Sequence, residues 1–298
     1  MKIIDIKDSL YPLLLKKIKN PPQKLYAKGN LELLNKPGIA IIGSRKATEY
    51  GEKVTKKFAE ELSLYGLTII SGMAEGVDSF AHISCLQVLG STIAVLPCGF
   101  NNIFPNENID LYNQILENNG LVITEYEENE KASSNKFLER NRIVAGLGIG
   151  TLVVEGAYRS GTSVTARLTK EQGKNIFCIP SSIYNPQGVS PNNLIKKGAI
   201  LVTEAEDIIK QYSELKLKKR NIQRKELKIK IAKKAKDENI PSEFKQIYDL
   251  LDFEIPIHIN QIAKKTGINI QEISSKLMML EIENKVVSLP GNYYKIAD

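Results

Sequence analysis

The chain of 298 residues is long enough for one large domain with a smaller one, or for two domains of moderate size. Hydrophobic residues make up 42% and charged residues 25%, which is ordinary for a globular protein and argues against a disordered or fibrous class. The sequence offers no signal-peptide core and no apolar run of membrane-spanning length. We therefore expect a cytoplasmic protein that makes no membrane contact.

Cysteine and histidine are too scarce and too scattered to assemble a disulfide framework or a zinc cluster. Cys85, Cys98 and Cys178 lie in or beside apolar stretches and are expected to be small core residues. His82 falls within a predicted helix and is interpreted as a packed residue rather than a base. We expect neither a metal nor a cofactor.

The net charge of +7 is concentrated in one block. Residues 214–239 hold eleven Lys or Arg against four acids, whereas residues 241–298 hold six Lys against eight acids. We therefore predict a basic linker over residues 214–240. Two interpretations of it stay open, a solvated tether and a direct contact with nucleic acid.

Residues 1–35 are predicted to be a short N-terminal extension, and strands alternate with helices after it. Apolar runs predict strands over residues 38–43, 67–71, 91–96, 121–124, 151–155, 175–179 and 199–202. Thr48 is a candidate cap for the first intervening helix, which Gly66 ends. This alternation predicts an α/β domain over residues 36–213, with an extended Rossmann-like, doubly wound and mostly parallel sheet.

Residues 241–298 predict a small winged-helix domain. Helical patterns cover residues 244–251, 258–266 and 270–281, with Gly267 at a turn, and an alternating segment over residues 285–296 predicts the wing. Because this region is acidic overall, we expect it to contact proteins rather than duplex DNA. Met278 and Met279 are expected to pack in its core.

The first predicted strand ends in Gly43, Ser44 and Arg45 rather than in a complete dinucleotide fingerprint. Backbone amides at the start of the next helix, the serine hydroxyl and the planar guanidinium form a suitable cradle for a phosphate. The alternative is a surface arginine beside an ordinary turn. Both interpretations are compatible with the spacing.

Two further glycine- and hydroxyl-rich turns follow other strands of the same sheet. The first contains Ser71, Gly72 and Ala74, with Asp78 interpreted as a helix cap rather than a catalytic acid. The second leads into a helix and contains the residues Gly161, Thr162 and Thr165. Three cradles at one sheet edge predict a groove that follows several phosphates.

Cations flank an aromatic ring in the middle of the chain. Lys136, Arg140 and Arg142 surround Phe137, and Asn141 adds an amide. Cations that hold phosphates beside a ring that stacks on bases suit a single strand of any sequence. A core phenylalanine with surface charges is the structural alternative for Phe137.

Together these segments closely resemble the DNA processing protein A (DprA/Smf) family, and so does the entry segment over residues 11–29. The resemblance is carried by residues 40–45, 71–78, 137–145 and 155–166. It implies an extended Rossmann fold that binds single-stranded DNA, forms homodimers and loads the RecA recombinase onto strands taken up in natural transformation. It implies no catalytic turnover. The first 35 residues are too short for the helical domain that some members carry in front.

The resemblance also assigns roles to residues. Ser44 and Arg45 would hold phosphates, and Gly72 and Ala74 would shape the groove. The turn with Gly161, Thr162 and Thr165 would complete it. Phe137, Arg140 and Arg142 would line the groove, while Lys136 is our own addition from its position. The residues expected at the DNA interface are Gly43, Ser44, Arg45, Ser71, Gly72, Ala74, Lys136, Phe137, Arg140, Asn141, Arg142, Gly161, Thr162 and Thr165.

Two other functions remain alternatives. One is a nucleotide-processing enzyme on a related Rossmann fold, similar to the phosphoribohydrolases. Those enzymes use a Pro-Gly-Gly-x-Gly-Thr turn with a nearby glutamate, whereas here the turn at residues 159–162 reads Arg-Ser-Gly-Thr and Glu155 precedes it. The other alternative is a transcription regulator, which the predicted winged helix alone suggests.

Overall fold

A computed structural model describes residues 1–158, 160–222, 240–251, 256–283 and 285–297 of the chain. The chain divides into two compact units, Met1–Ile231 and Ala232–Asp298. The division falls inside the predicted linker, and each unit has a hydrophobic core of its own.

The larger unit is an α/β structure built on one twisted sheet. Its described strands number nine, in the order β1-β2-β6-β5-β4-β3-β7-β8-β9. All neighbours from β6 to β9 in this order are parallel, and β1 and β2 add an antiparallel edge. The strands are β1 Lys2–Asp5, β2 Lys24–Gly29, β3 Gly38–Ile42, β4 Thr68–Ser71, β5 Thr92–Val95, β6 Leu121–Thr124, β7 Gly150–Val153, β8 Asn175–Cys178 and β9 Ile200–Leu201.

The strand order reverses at β3. Successive strands β4, β5 and β6 are added on one side of β3, whereas β7, β8 and β9 are added on the other side. Helices therefore cover both faces of the sheet, which confirms the predicted doubly wound, mostly parallel architecture. In such sheets the crevice for a ligand opens at the carboxyl ends of the strands where the order reverses, here between β3 and β7.

The helices of this unit follow from apolar spacing and from their caps. In the second helix, buried Phe58 and Leu62 are one turn apart and face the sheet. Thr48 caps this helix through its side chain, and the chain leaves it through Gly66 at φ +89°. The α-helices are α1 Leu13–Lys16, α2 Glu49–Leu64, α3 Val77–Leu86, α4 Ile109–Glu117, α5 Ser134–Leu147, α6 Gly161–Glu171, α7 Val189–Lys196 and α8 Ala205–Ile209.

The N-terminal residues form part of the sheet, which corrects the predicted extension over residues 1–35. Strand β2 pairs antiparallel with β6, and Leu25 and Ala27 are buried while Lys24 is exposed. Tyr11 is also buried, and its hydroxyl donates to the Pro22 carbonyl oxygen at 2.7 Å. No boundary separates these residues from the following unit, because backbone pairing runs through them. The strands are too short and too rich in lysine to stand out in the sequence.

The beginning of the predicted basic linker packs against the larger unit. The Arg220 amide donates to the Leu64 carbonyl oxygen at 2.9 Å, and the Lys219 ammonium lies 3.8 Å from a Glu206 carboxylate oxygen. The remaining linker residues, 223–239, lie outside the described residues. Among the described residues, no helix is a candidate for a membrane-spanning segment.

The smaller unit combines three helices with a three-stranded sheet in its described part, as predicted for a winged helix. Gly267, at φ +72°, makes the turn between the second and third helices, and Asn269 caps the third helix. The sheet has the strand order β10-β12-β11. The elements are α9 Ser242–Tyr248, β10 Ile257–His258, α10 Ile259–Thr266, α11 Ile270–Ile282, β11 Val286–Leu289 and β12 Tyr293–Ile296.

The prediction that the methionines of α11 belong to the core is wrong. Leu277 and Leu280, three residues apart, are fully buried, whereas Met278 is 64% exposed and Met279 is 55% exposed. One face of a helix takes residues three or four apart, so the two positions between these leucines point outward.

Candidate nucleic-acid interface

A cavity of about 350 Å³ opens at the carboxyl ends of the strands, where the strand order reverses. Its walls come from the turn after β3, the turn after β4, one face of α5 and the start of α6. The predicted interface residues that line it are Gly43, Ser44, Arg45, Gly72, Ala74, Phe137, Arg140, Asn141, Gly161, Thr162 and Thr165.

Arg45 and Phe137 form the rim of the cavity. Arg45 is exposed, and its guanidinium carbon lies 4.9 Å from the centre of the Phe137 ring. Phe137 is half-buried and packs edge-on against Phe104, with ring centres 5.5 Å apart. Phe137 is therefore neither a core residue nor a free side chain. Its ring is held in place and remains partly accessible, with a cation on one side.

In the second predicted phosphate cradle, the turn with Ser71, Gly72 and Ala74, a carboxylate of the protein itself occupies the backbone donors. This corrects the interpretation of the turn as an anion site. The Asp78 carboxylate accepts hydrogen bonds from the amides of Gly72, at 3.1 Å, and Ala74, at 3.4 Å. Asp78 is the second residue of α3 and reaches back over the turn. Its negative charge takes the place that a phosphate would occupy. The favoured interpretation of Asp78 as a local cap, rather than a catalytic acid, agrees with this geometry.

Arg140 is buried at the floor of the cavity. Its Nη1 donates to the carbonyl oxygens of Gly72 and Val95, and so links the ends of β4 and β5. Burial lowers the pKa of this guanidinium, and the Asp78 carboxylate opposes that shift. Gly72 is required here because a Cβ atom at this position would lie 2.5 Å from the Arg140 guanidinium. Arg140 therefore supports the site and is already bound to protein oxygens.

A second buried carboxylate closes the start of α2. Glu155, fully buried, accepts hydrogen bonds from the Thr48 amide at 2.8 Å and from the Thr48 hydroxyl at 2.6 Å. The Asn185 amide group donates to the same carboxylate at 3.2 Å. Glu155 therefore stabilises the positive end of the α2 dipole and joins three segments of the chain.

The start of α6 is open by comparison. In the described part of the chain, no side chain caps this helix and its first turn carries no acid. A Cβ atom at Gly161 would meet nothing within 4 Å among the described residues, so the first residue of α6 is open on its side-chain side. Of the predicted cradles, this one keeps its backbone donors and its dipole available to an anion.

Three predicted interface residues do not line the cavity. The Ser71 hydroxyl is buried and donates to the Ile41 carbonyl oxygen at 2.6 Å. The Lys136 ammonium donates to a Glu130 carboxylate oxygen at 2.8 Å. Arg142 forms an ion pair with Glu125, because two positions along a helix turn a side chain by about 200° away from Arg140.

Sequence reasoning missed other residues of the cavity wall. Lys46 is exposed beside Arg45, and its adjacency to the predicted phosphate cradle was an available signal. Gln187 lines the cavity from the segment between β8 and α7. The sequence around Gln187 contains no motif that predicts a place in the cavity wall. Long-range chain folding alone places it there.

The cysteines and the histidine of the larger unit are buried, as predicted. Burial raises the pKa of the Cys85 and Cys178 thiols to about 12, so a thiolate is disfavoured. Burial also lowers the pKa of His82 to about 3, and its Nδ1 lies 2.7 Å from the Thr92 hydroxyl. These groups are packed residues of the core.

The fold and the cavity define a Rossmann-like α/β protein with a small winged-helix unit. The family model described as DNA recombination-mediator protein A matches residues 2–213, and the model described as DprA winged helix domain matches residues 232–292. The chain belongs to the DNA recombination-mediator protein A family, known also as DprA/Smf.

Individual relatives cover most of the chain. Protein Smf of Escherichia coli is 35% identical over 295 residues, which are 99% of this chain and 77% of that protein. The solved structure of DNA processing protein A from Streptococcus pneumoniae superposes with a TM-score of 0.67, at 37% identity, over 70% of this chain and 74% of that one. The solved structure of DNA processing protein A from Helicobacter pylori, described for its single-stranded DNA binding mode, superposes with a TM-score of 0.64 at 31% identity. The superposition covers 72% of this chain and 97% of that one.

Proposed function

We propose that this protein binds single-stranded DNA in the cavity between β3 and β7 without reading its sequence, and that it performs no catalytic turnover. The observation that carries the proposal is a set of positive groups at one rim that pair with no carboxylate among the described residues. Exposed Arg45 and Lys46 lie beside the half-buried ring of Phe137, opposite the uncapped start of α6. The Helicobacter pylori relative, whose structure concerns single-stranded DNA binding, supports the same ligand.

The distribution of charge favours one DNA strand that crosses the cavity over separate mononucleotides, each bound at its own strand-to-helix turn. Two of the three helix starts near the cavity are closed by the buried carboxylates of Asp78 and Glu155. Phosphates would therefore be held by Arg45, Lys46 and the amides at the start of α6. Cations and one aromatic face suit any base, since neither reads a base edge.

Family membership supports a proposal for the wider role. A recombination mediator that holds a strand through phosphates and base stacking leaves the edges of the bases unread, and we propose RecA as the protein that receives the strand. We further propose that the protein acts as a homodimer. Both proposals are tested directly, by RecA filament assembly on strands coated with a single-strand binding protein and by sedimentation equilibrium.

The winged-helix unit is proposed to contact proteins. The outward face of α11 carries Met278, Met279 and Ile282, each more than half exposed, and Lys276 on this helix is paired with Glu272 at 2.7 Å. Ser274 and Ser275 are also exposed on this helix, but its one described cation is the paired Lys276, and affinity for duplex DNA comes largely from the neutralisation of phosphates. A transcription regulator that binds duplex DNA through α11 is therefore disfavoured.

The alternative of a phosphoribohydrolase-like enzyme depends on Glu155. This carboxylate is fully buried and accepts hydrogen bonds from Thr48 and Asn185, so it is not free to act on a substrate. Assay of purified protein for base release from nucleoside monophosphates tests this alternative. Turnover that disappears in Glu155→Gln would restore it.

The test of the proposed function is a titration of labelled poly-dT, followed by fluorescence anisotropy, with the wild type, Arg45→Ala and a duplex of equal length. We expect the single strand to bind more tightly, the affinity to fall as salt rises, and Arg45→Ala to lose about 1–3 kcal/mol of binding free energy. Arg167→Ala is the matched control, because Arg167 is exposed and lies outside the cavity wall. Equal binding by both variants, or a preference for duplex, would contradict the proposal.

A further inference from the structure

Two large apolar side chains stand exposed on a loop beside the cavity. Ile183 is 83% exposed and Tyr184 is 89% exposed, in the segment between β8 and α7. Single exposed hydrophobic residues are common, but two adjacent ones at such exposure on a fixed loop are a candidate contact surface.

The base of this loop is held in place on both sides. The Asn192 amide group donates to the Ser181 carbonyl oxygen at 2.9 Å, and the Ser181 amide donates back to Asn192 at 3.2 Å. Farther along, the Asn185 side chain accepts from the Gln187 amide at 2.9 Å and donates to Glu155 at 3.2 Å. The exposed pair is therefore presented by an ordered support.

The same contacts connect the loop with the cavity. Gln187 lines the cavity wall, and its carbonyl oxygen accepts from the Gly156 amide. Glu155, which holds Asn185, also holds Thr48, two residues after the exposed Lys46. A continuous row of contacts thus leads from the cation rim to the loop that carries Tyr184.

We infer that Tyr184 is a second stacking platform for single-stranded DNA, outside the cavity and on the side of the α2 start. The inference rests on the proposed function. A strand that leaves the cavity past Arg45 and Lys46 keeps its phosphates near cations, and its next bases meet an exposed aromatic face. Such a face accepts any base, and each stacked base contributes to affinity without adding sequence preference.

The chain contains no tryptophan, which makes the inference directly measurable. Tyr184→Trp and Phe137→Trp each introduce a single indole, one on the loop and one at the cavity rim. Tyr293→Trp is the matched reporter at an exposed aromatic position of the winged-helix unit, which is proposed to contact proteins rather than DNA. Indole emission is recorded while oligomers of about 4 and about 20 thymidines are added, a range that brackets short and long sites.

We expect both oligomers to quench the indole emission of Phe137→Trp and only the longer one to quench that of Tyr184→Trp. Neither oligomer should quench the emission of Tyr293→Trp. In anisotropy titrations Tyr184→Ala should lose about tenfold in affinity for the longer oligomer and nothing for the shorter, while Tyr184→Phe keeps wild-type affinity.

Three results would overturn the inference. If Phe137→Trp is quenched and Tyr184→Trp is not, the strand occupies the cavity and avoids the loop. If Tyr184→Trp emission shifts to the blue as protein concentration rises without DNA, the loop contacts a second copy of the chain. If neither reporter responds and anisotropy shows no binding, the proposed function fails together with this extension.

Discussion

The cavity of the larger unit and the outward face of α11 in the smaller unit both occur in folds that commonly bind nucleic acid, but their chemistry is opposite. The cavity rim exposes Arg45 and Lys46 beside Phe137. The face of α11 exposes Met278, Met279 and Ile282, with no unpaired cation among the described residues of that helix. Fold alone is therefore a weak guide to DNA binding, and the exposed charges decide.

A second difference lies within the cavity itself, between its floor and its rim. The floor holds Arg140 and Asp78, which are buried and bound to protein groups. The rim holds Arg45, which is exposed and free to meet a phosphate. Two arginines of the same cavity thus have different tasks, since one supports the turn after β4 and the other faces solvent.

The largest expected effect is on folding, and it separates these two arginines. Arg140→Leu leaves the Asp78 carboxylate buried without its cation and removes a donor from the Gly72 and Val95 carbonyl oxygens. We expect it to lower the free energy of unfolding of the larger unit by about 3–5 kcal/mol. Urea unfolding followed by circular dichroism measures this loss.

Arg45→Ala is the control for this measurement, because its guanidinium is exposed. It should leave the free energy of unfolding within about 0.5 kcal/mol of the wild type. The double variant Asp78→Asn with Arg140→Leu should recover part of the loss, since it buries no unpaired charge. A loss below about 1 kcal/mol in Arg140→Leu would show that the floor is not a structural support.

The second prediction concerns neighbouring residues of α11 and tests whether its outward face is dispensable for folding. Leu277→Ala removes a fully buried side chain and should cost about 2–5 kcal/mol in the unfolding of the smaller unit. Met278→Ala should cost less than about 0.5 kcal/mol, because that side chain is 64% exposed. Thermal unfolding of the two variants compares them, and similar losses would place Met278 in the core after all.

Much of the fold could be predicted from the sequence, because its parallel strands are continuous apolar runs that end at glycines or at polar turns. Strand β3 and its following helix, with Thr48 as the cap, are examples. Strands β1 and β2 could not be predicted in this way. Strand β2 pairs with β6, which lies about a hundred residues away in the sequence, β1 pairs only with β2 among the described strands, and the pattern of both strands is short.

The candidate site was predictable as a set of turns but not as a distribution of charge. Glycines and hydroxyl groups after strands marked the cavity walls correctly, since the ends of parallel strands share one edge of the sheet. The sequence could not show that Asp78 fills one cradle, or that Arg140 points inward while Arg142 pairs with Glu125. Those outcomes depend on long-range contacts between side chains.

The third prediction compares cations of the two units directly. Arg45→Ala combined with Lys46→Ala should lower the affinity for single-stranded DNA by about 1–3 kcal/mol at low salt and should flatten the dependence of affinity on salt. Lys264→Ala with Lys265→Ala removes the same charge from the exposed end of α10 and is the matched control. Equal losses in the two double variants would mean that net charge, rather than the cavity, determines binding.

The smallest expected effect concerns the outward face of α11 in the smaller unit. It tests whether that face, unlike the cavity of the larger unit, takes no part in DNA binding. Met279→Glu with Ile282→Glu places two negative charges on the outward face of α11, where both wild-type side chains are more than half exposed. If this face contacts proteins and not DNA, affinity for a poly-dT strand should change by less than about 0.4 kcal/mol, or about twofold. The same variant should unfold like the wild type, since neither residue is buried. A loss of tenfold or more in anisotropy titrations would show that the strand approaches α11 closely enough to be repelled, and both units would then share the DNA.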